Sequence, residues 1–268
     1  MHYMKLSNLH THTTYSDGRG SIRENVEEAV CRSFISLGIS DHSHTAYENT
    51  CMRADARNNY ISEVRKAAEE YAGKIEVYCG LELDSNSDTD TSEFDYVIAS
   101  VHSLKIGEDY IPVDLGEAAQ RSLIDTHFNG SEPKFAKRYY DELCRHIARS
   151  KPDIVGHFDL ITKYDSIDEA SPEYREIALS ALREAVRHCN RFEVNTGGMA
   201  RRHKKTPYPA EFLLRELLSL GGHVIVTSDA HDPAYLSYAF DETYAMLRRI
   251  GFRYADRLTA DGFISEKI

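Results

Sequence analysis

Hydrophobic and polar residues follow two alternating patterns along the chain. Short apolar stretches rich in β-branched residues are typical of buried strands, whereas apolar residues spaced three or four apart are typical of helices. Seven stretches of the first kind occur, in the order KLSNLH, SLGISD, IEVYCGLEL, DYVIASVH, DIVGHFD, FEVNTG and HVIVTSD. Helix-like stretches separate several of them, so the sequence predicts strands that alternate with helices.

Local signals mark the ends of several predicted helices. In SIRENVEEAV, Ser21 and Glu24 have the spacing of a capping box, and Pro172 stands in the first turn of SPEYREIALSALREAVRHC. Gly73 is a candidate C-terminal cap for ADARNNYISEVRKAAEEYAG. The other predicted helices are EPKFAKRYYDELCRHIARS, YPAEFLLRELLSLGG and AYLSYAFDETYAMLRRIG.

The alternation of strands and helices predicts an α/β fold. Crossover helices imply a mostly parallel sheet, either open or closed into a barrel. The polar segment 103–132 is predicted to be an active-site loop or excursion. No linker or repeat divides the sequence, so we expect one domain over residues 1–268.

Composition and cysteine usage indicate a soluble, cytoplasmic protein. Hydrophobic residues make up 41% of the chain, which is enough for a core. No apolar run reaches the roughly 18 residues of a membrane span, and the first residues do not have the apolar stretch of a secretory signal. The five cysteines never occur as CxxC, which favours reduced thiols over disulfides or a thiolate metal site.

The charge balance bears on possible partners. The chain has 32 Lys and Arg against 43 Asp and Glu, a formal net charge of -11. Such an acidic surface argues against nucleic-acid binding, although a few local cations can still bind a small phosphorylated substrate. The sequence does not indicate an oligomeric state.

Residues able to bind metal follow six of the seven predicted strands within a few positions. In chain order they are His10, His12 and Asp17; Asp41 and His42; Glu82; His102; His157 and Asp159; and Asp229 and His231. Each alone has a structural explanation, such as strand packing, a helix cap or an ion pair. Together they favour a metal site, because the carboxyl ends of parallel barrel strands meet on one face.

The remaining histidines lie at other kinds of position. We expect them to be solvated or to pack within the fold, with His44 near the site but not among the metal ligands. They are His2, His127, His146, His188, His203 and His223.

The motifs HTHTTYSDG, GISDHS, GLELD, SVHS, GHFDL and TSDAH, in this order, resemble the PHP (polymerase and histidinol phosphatase) family of metal-dependent phosphoesterases. The resemblance extends from about Leu9 to Pro233. It implies a distorted (β/α)7 barrel with a multinuclear metal site at the C-terminal strand ends. The stretches YIPVD, KRYYDEL and EVNTGGMARRHKKTPYP are similar to the histidinol-phosphatase branch.

The resemblance also implies a distribution of metal ligands. His10, His12, Glu82 and Asp229 would hold one ion. Glu82 would bridge to a second ion bound by His102 and His157, and Asp17, His42 and His231 would hold a third. Some family members carry histidine in place of Asp17. Imidazole and carboxylate ligands suit Zn²⁺, Mn²⁺ or Fe²⁺, so two or three such ions are expected.

Such a site implies attack on phosphorus by a metal-bound hydroxide. Glu82 would bridge the metals, and the leaving alkoxide would take a proton from Asp17, His231 or a water molecule. Arg201 or Arg202 could bind the phosphate, or their loop could simply be solvated. Further candidates for substrate contact are Lys163, Arg53 and Asn195, the last of which could instead be an ordinary turn residue.

The resemblance to the histidinol-phosphatase branch implies hydrolysis of L-histidinol phosphate to L-histidinol and phosphate in histidine biosynthesis. The alternative is a phosphoesterase that acts on another small phosphomonoester or a nucleotide. A non-enzymatic metal-binding module is disfavoured. A decayed site would be expected to lose metal ligands, whereas all nine ligands that the resemblance implies are present.

Overall fold

The computed structural model describes residues 5–268. The strands are β1 (Leu6–Asn8), β2 (Phe34–Ile39), β3 (Glu76–Asp84), β4 (Tyr96–Ser100), β5 (Ser103–Ile106), β6 (Asp109–Pro112), β7 (Ile154–Val155), β8 (Arg191–Asn195), β9 (His223–Thr227), β10 (Tyr254–Thr259) and β11 (Gly262–Lys267). The helices are α1 (Ile22–Cys31), α2 (Arg57–Glu70), α3 (Glu117–Phe128), α4 (Glu132–Ser150), α5 (Pro172–Val186), α6 (Gly197–Ala200), α7 (Glu211–Ser219) and α8 (Phe240–Ile250).

Seven parallel strands form one sheet in the order β1-β2-β3-β4-β7-β8-β9. The two edges meet just beyond their strands, where Thr11 forms a parallel bridge with Ala230. The amide of His12 donates to the carbonyl of Ala230 at 2.9 Å, which nearly closes the sheet into a barrel. The seven predicted strands and the barrel architecture are thereby confirmed.

Tyr96 fills the barrel below the carboxyl ends of the strands. Its ring passes over Gly80 of β3 and Gly38 of β2, where an added Cβ would come within 2.1 Å of the ring or hydroxyl. Its hydroxyl donates to the carbonyl of Leu9 at 2.5 Å. The two glycines therefore leave room for one large side chain that joins β4 to the far side of the barrel.

The segment 103–132 is more ordered than the expected loop. It forms the β5–β6 hairpin and helix α3, and the buried amide of Gln120 donates to the carbonyls of Val113 and Ile161 at 2.8 and 3.0 Å. These contacts fix the excursion to the loop that follows β7. The hairpin of β10 and β11 was not predicted from the sequence.

Two predicted helix limits are corrected. Helix α2 ends at Glu70, and Gly73 follows three residues later with a φ of +79°. Helix α8 begins only at Phe240, after a 3-10 turn at Pro233–Tyr235. Among residues 5–268, no helix combines the length and hydrophobicity that a bilayer crossing would need.

Candidate metal centre

Six histidine rings gather at the carboxyl ends of the strands. His12 lies at the middle of one half, with ring centroids 5.1 Å from His10, 4.3 Å from His42 and 4.2 Å from His231. His102 and His157 lie in the other half, with centroids 5.1 Å apart. The barrel thus brings together residues that are more than 200 positions apart in sequence.

Glu82, near the end of β3, lies between these two groups of rings. Its Oε2 is 3.3 Å from Nε2 of His10, 3.6 Å from Nε2 of His12 and 2.7 Å from Nδ1 of His42. Its carboxylate is fully buried, as is the imidazole of His10. One oxygen of Glu82 therefore faces three imidazole nitrogens.

The other oxygen of Glu82 faces a different pair of histidines. Oε1 lies 3.4 Å from Nε2 of His102 and 3.0 Å from Nε2 of His157. A carboxylate whose two oxygens point at separate imidazole groups has the geometry of a bridging ligand.

Asp229 follows β9 and approaches the first group. Its Oδ1 is 3.1 Å from Nε2 of His12, 3.7 Å from Nε2 of His10 and 3.4 Å from Nδ1 of His231. Its backbone has a φ of +48°, in the left-handed region that residues other than glycine seldom adopt. Such strain is commonly found where a side chain must be aimed at a functional site.

Asp17 forms the more open side of the cluster. Its carboxylate lies 3.2 Å from Nε2 of His231, 3.6 Å from Nε2 of His42 and 3.9 Å from Nδ1 of His12. The side chain of Asp17 is 29% exposed and that of His231 is 26% exposed. A ligand from solvent could therefore approach on this side.

The donor atoms fit divalent metal ions. Three groups have nitrogen and oxygen atoms within 4.8 Å of one another: His12, Asp17, His42 and His231; His10, His12 and Glu82; and His42, Glu82 and His102. Nε2 of His10, Nε2 of His12 and Oε2 of Glu82 are buried without a hydrogen-bond partner in the described chain. Buried polar atoms are rarely left unsatisfied, and a cation between them would satisfy all three.

The electrostatics of the site favour an ionised Glu82. Burial opposes its ionisation, but His10, His42 and His102 hold its pKa well below the usual range. Burial together with His231 and His42 lowers the pKa of His12 to about 3. His12 is therefore a neutral imidazole, the form that binds metal.

Glu193 is a residue of the site that the sequence analysis missed. Its Oε2 lies 2.7 Å from Nδ1 of His10 and accepts a hydrogen bond from Oγ1 of Thr227 at 2.9 Å. Its Oε1 accepts from Nδ2 of Asn195 at 2.8 Å and from the backbone amide of His157. This carboxylate supports two of the candidate ligands from behind.

A sequence signal for Glu193 was present in β8. Successive side chains of a strand point to opposite faces, so Glu193 faces away from its apolar neighbours Phe192 and Val194. Both neighbours are fully buried in the main hydrophobic core, which leaves Glu193 facing the barrel interior.

Two further carboxylates hold the loops that carry the ligands. Asp41 accepts hydrogen bonds from the amide and hydroxyl of Thr13, each at 2.8 Å, and from the hydroxyl of Ser16 at 2.5 Å. Asp84 accepts one from the amide of His102 at 3.1 Å. Asp41 thus fixes the loop after β1, and Asp84 fixes the end of β4.

Arg201 lies at the cluster itself. Its Nη2 is 2.7 Å from Oδ2 of Asp229, and its Nη1 is 3.0 Å from Nδ1 of His231. The neighbouring residue Arg202 is exposed and has a φ of +61°. Of the two candidate arginines, only Arg201 contacts candidate metal ligands.

The other candidates for substrate contact have partners within the protein. Lys163 pairs with Asp114 at 2.7 Å, and the 81% exposed Arg53 pairs with Asp55 at 2.8 Å. Oδ1 of Asn195 accepts from the amide of Gly197 at 2.8 Å, which shapes the turn after β8.

The remaining histidines mostly have structural contacts. His146 is buried, with Nε2 2.9 Å from the carbonyl of Leu83, and His223 lies 3.2 Å from Asp256. Nδ1 of His44 is 3.1 Å from the carbonyl of Met52. His2 lies outside the described residues.

The chain is similar to known proteins over most of its length. The family model described as PHP domain matches residues 8–197. A Deinococcus radiodurans protein named "Probable histidinol-phosphatase" is 29% identical over 261 residues, covering 92% of this chain and 95% of the relative. The histidinol-phosphatase of Bacillus subtilis is 24% identical over 258 residues, covering 87% and 96%.

A solved structure has the same fold. It is a histidinol phosphate phosphatase of Lactococcus lactis complexed with zinc, L-histidinol and phosphate. The two structures superpose with a TM-score of 0.75 at 20% identity, covering 97% of this chain and 99% of the other.

Proposed function

The chain belongs to the PHP domain family, and on this premise we propose that it is a metal-dependent phosphatase that hydrolyses L-histidinol phosphate to L-histidinol and phosphate. The observation that carries the proposal is the position of Glu82, whose two oxygens face separate groups of histidines. The relatives support this substrate. They are named as histidinol-phosphatases, and this chain aligns with nearly their whole lengths.

The proposed ligand sets follow the geometry of the cluster. Glu82 would be shared between two ions, one held also by His10, His12 and Asp229 and the other by His102 and His157. Asp17, His42 and His231 would hold a third. Zinc in the Lactococcus lactis structure supports Zn²⁺, and the ligand types also suit Mn²⁺ and Fe²⁺. When bound, such ions activate water and stabilise negative charge on phosphate oxygens.

Arg201 is the residue that we assign to the substrate phosphate. Its side chain is 32% exposed, and its guanidinium is fixed by Asp229 on one side and His231 on the other. A planar guanidinium held in this way can present its remaining donor positions to a phosphate without losing side-chain freedom on binding. Lys163 would add positive charge, and Asn195 would hold the turn that carries Arg201. Arg202 would contribute little from its exposed position.

Arg53 has a more peripheral position. With His44 and Met52 it lines a cavity of about 190 Å³. Its charge could attract an anionic substrate, but its pairing with Asp55 makes it the weakest of the proposed contacts.

The leaving oxygen requires a proton, and Asp17 and His231 are the proposed source. Oδ2 of Asp17 lies 3.2 Å from Nε2 of His231, so the two side chains are close enough to position one water molecule as the donor of that proton. Both side chains are partly exposed, on the side from which a substrate can approach. A positioned acid of this kind commonly contributes about 10²- to 10⁴-fold to the rate.

We propose that residues 1–268 form one domain. The family match ends at residue 197, but β9 lies beyond it and completes the sheet, and Asp229 and His231 follow that strand. The proposal also includes a cytoplasmic location, which the five free cysteines of the described chain support.

The proposal is tested by phosphate release from L-histidinol phosphate, an aryl phosphate and a mononucleotide under identical conditions. We expect kcat/KM to be at least about 100-fold higher for L-histidinol phosphate, because a site adapted to one substrate binds its transition state selectively. Similar values for the three esters would contradict the assigned substrate and leave a general phosphomonoesterase.

A further inference from the structure

Asp114 is placed beside the candidate metal centre by the β5–β6 hairpin. The hairpin begins directly after His102 and returns so that Ser103 pairs with Pro112. The amide of Val113 then donates to the carbonyl of His102 at 2.8 Å. Asp114 follows this contact by one residue and therefore lies near His102, although the two are 12 positions apart in sequence.

The same residue is tied to the loop that follows β7. The hydroxyl of Tyr164 donates to the carbonyl of Asp114 at 2.8 Å, and Nζ of Lys163 lies 2.7 Å from its Oδ2. Gln120 connects the two segments as well, through the carbonyls of Val113 and Ile161. Asp114 thus lies between the loops that carry His102 and His157.

One oxygen of the Asp114 carboxylate is available to a ligand. Lys163 occupies Oδ2, whereas Oδ1 accepts no hydrogen bond from any residue in 5–268, and the side chain is 21% exposed. The other carboxylates around the site that are not candidate ligands are less available. Asp41, Asp84, Asp159 and Glu193 are all buried.

One aromatic side chain, that of Tyr164, contacts Asp114 through its hydroxyl. The ring of Tyr164 packs edge-on against His203, with centroids 5.4 Å apart, and the ring of Tyr208 lies 6.4 Å from His157. Tyr164 and His203 therefore form a pair of rings next to Asp114, and Tyr208 lies beside a candidate metal ligand.

We propose that Oδ1 of Asp114 binds the ammonium group of the substrate and makes the enzyme selective for phosphate esters of amino alcohols. The inference rests on the proposed function. If the phosphate of L-histidinol phosphate lies at the metal ligands, its amine must be bound by residues next to those ligands, such as Asp114. Lys163 holds Oδ2 and so fixes the orientation of the carboxylate. A hydrogen bond between charged groups at a partly buried site commonly changes affinity by about 10- to 100-fold.

The test compares two substrates in the intact enzyme. These are L-histidinol phosphate and its analogue without the amine, 3-(imidazol-4-yl)propyl phosphate. In Asp114→Asn, kcat/KM for L-histidinol phosphate should fall about 10- to 100-fold, while kcat/KM for the analogue changes less than about twofold. Glu108→Gln, at the exposed tip of the same hairpin, is the matched control and should leave both values unchanged.

An equal fall for both substrates would overturn the proposal, because it would indicate a general structural role. So would an unchanged kcat/KM for L-histidinol phosphate in Asp114→Asn. If the wild type itself fails to hydrolyse L-histidinol phosphate but hydrolyses other esters, the proposed function fails rather than the recognition of the amine.

A binding measurement keeps the inference testable if turnover of L-histidinol phosphate is absent or the variant is slow. L-Histidinol is added as an inhibitor of aryl phosphate hydrolysis by the wild type and Asp114→Asn. The inhibition constant should rise about 10-fold or more in the variant, with no change for 3-(imidazol-4-yl)propanol. Equal constants for the two proteins would refute a contact between Asp114 and the amine.

Discussion

Nδ1 of His10 lies 2.7 Å from Oε2 of Glu193, and both side chains are fully buried. In the tautomer in which Nδ1–H donates a hydrogen bond to this carboxylate, Nε2 carries the lone pair and faces Glu82 and Asp229. Glu193 also accepts from the amide of His157, so one buried residue orients ligands proposed for two different ions.

The first prediction concerns this supporting carboxylate. Glu193→Gln should weaken metal binding by about 10- to 100-fold. A carboxylate fixes the tautomer of His10 and raises its basicity, and the neutral amide does neither. Metal content by mass spectrometry and a competition titration with a chelator would measure the loss. Glu69→Gln, on the exposed end of α2, is the control. Wild-type metal affinity in Glu193→Gln would refute the role.

Glu82→Gln should reduce turnover of L-histidinol phosphate at least about 100-fold, more than the loss of a supporting residue. The amide keeps the volume of the side chain but removes the negative charge that two ions would share. Steady-state kinetics measure the loss of turnover, and circular dichroism confirms that the variant is folded. Full activity would exclude Glu82 as a ligand. His157→Ala should give a similar loss, since it removes one of the two imidazoles that face Oε1 of Glu82.

The two adjacent arginines should behave differently. Arg201→Ala should lower kcat/KM for phosphate esters by about 10- to 100-fold, because it removes a charged contact and releases Asp229. Arg201→Lys should recover only part of the loss, since an ammonium cannot reproduce the planar fork. Arg202→Ala, at an exposed position, serves as the control and should change kcat/KM by less than about twofold. Unchanged kinetics in Arg201→Ala would move phosphate binding to another residue.

The barrel interior gives a prediction about stability. Gly80→Ala would place a Cβ 2.1 Å from Cζ of Tyr96, so the ring must shift and its hydrogen bond to Leu9 must distort. We expect a loss of about 1–3 kcal/mol in the free energy of unfolding, measured by urea denaturation. Gly116→Ala, where no atom lies within 4 Å of the added Cβ, is the comparison. Equal stability of the two variants would contradict the packing described for Tyr96.

The sequence predicted the parallel strands and the candidate ligands because both depend on local patterns. Each strand is a short apolar run, and the ligand types follow it at the end where parallel strands meet. Glu82 also lies inside its strand but belongs to the GLELD motif, whereas for Glu193 only the alternation with Phe192 and Val194 indicates the direction of the side chain.

The missed elements are those with weak hydrophobic patterns. No residue of β11 is buried, so its hydrophobic pattern is weak. The Asp261-Gly262 pair at the start of β11 is nevertheless a hairpin signal, and Gly262 has a φ of +103°. Helix α3 is held by the buried Gln120, a contact that depends on the loop after β7. The contact of Arg201 with Asp229 likewise requires two strand ends to be adjacent, which no local pattern specifies.

The most direct test of the account is turnover of L-histidinol phosphate by protein freed of metal and then reconstituted. Metal removal by a chelator should abolish phosphate release, and titration with Mn²⁺ or Zn²⁺ should restore it with two or three ions bound per chain. Undiminished phosphate release from protein verified to contain no metal would contradict the account at its centre.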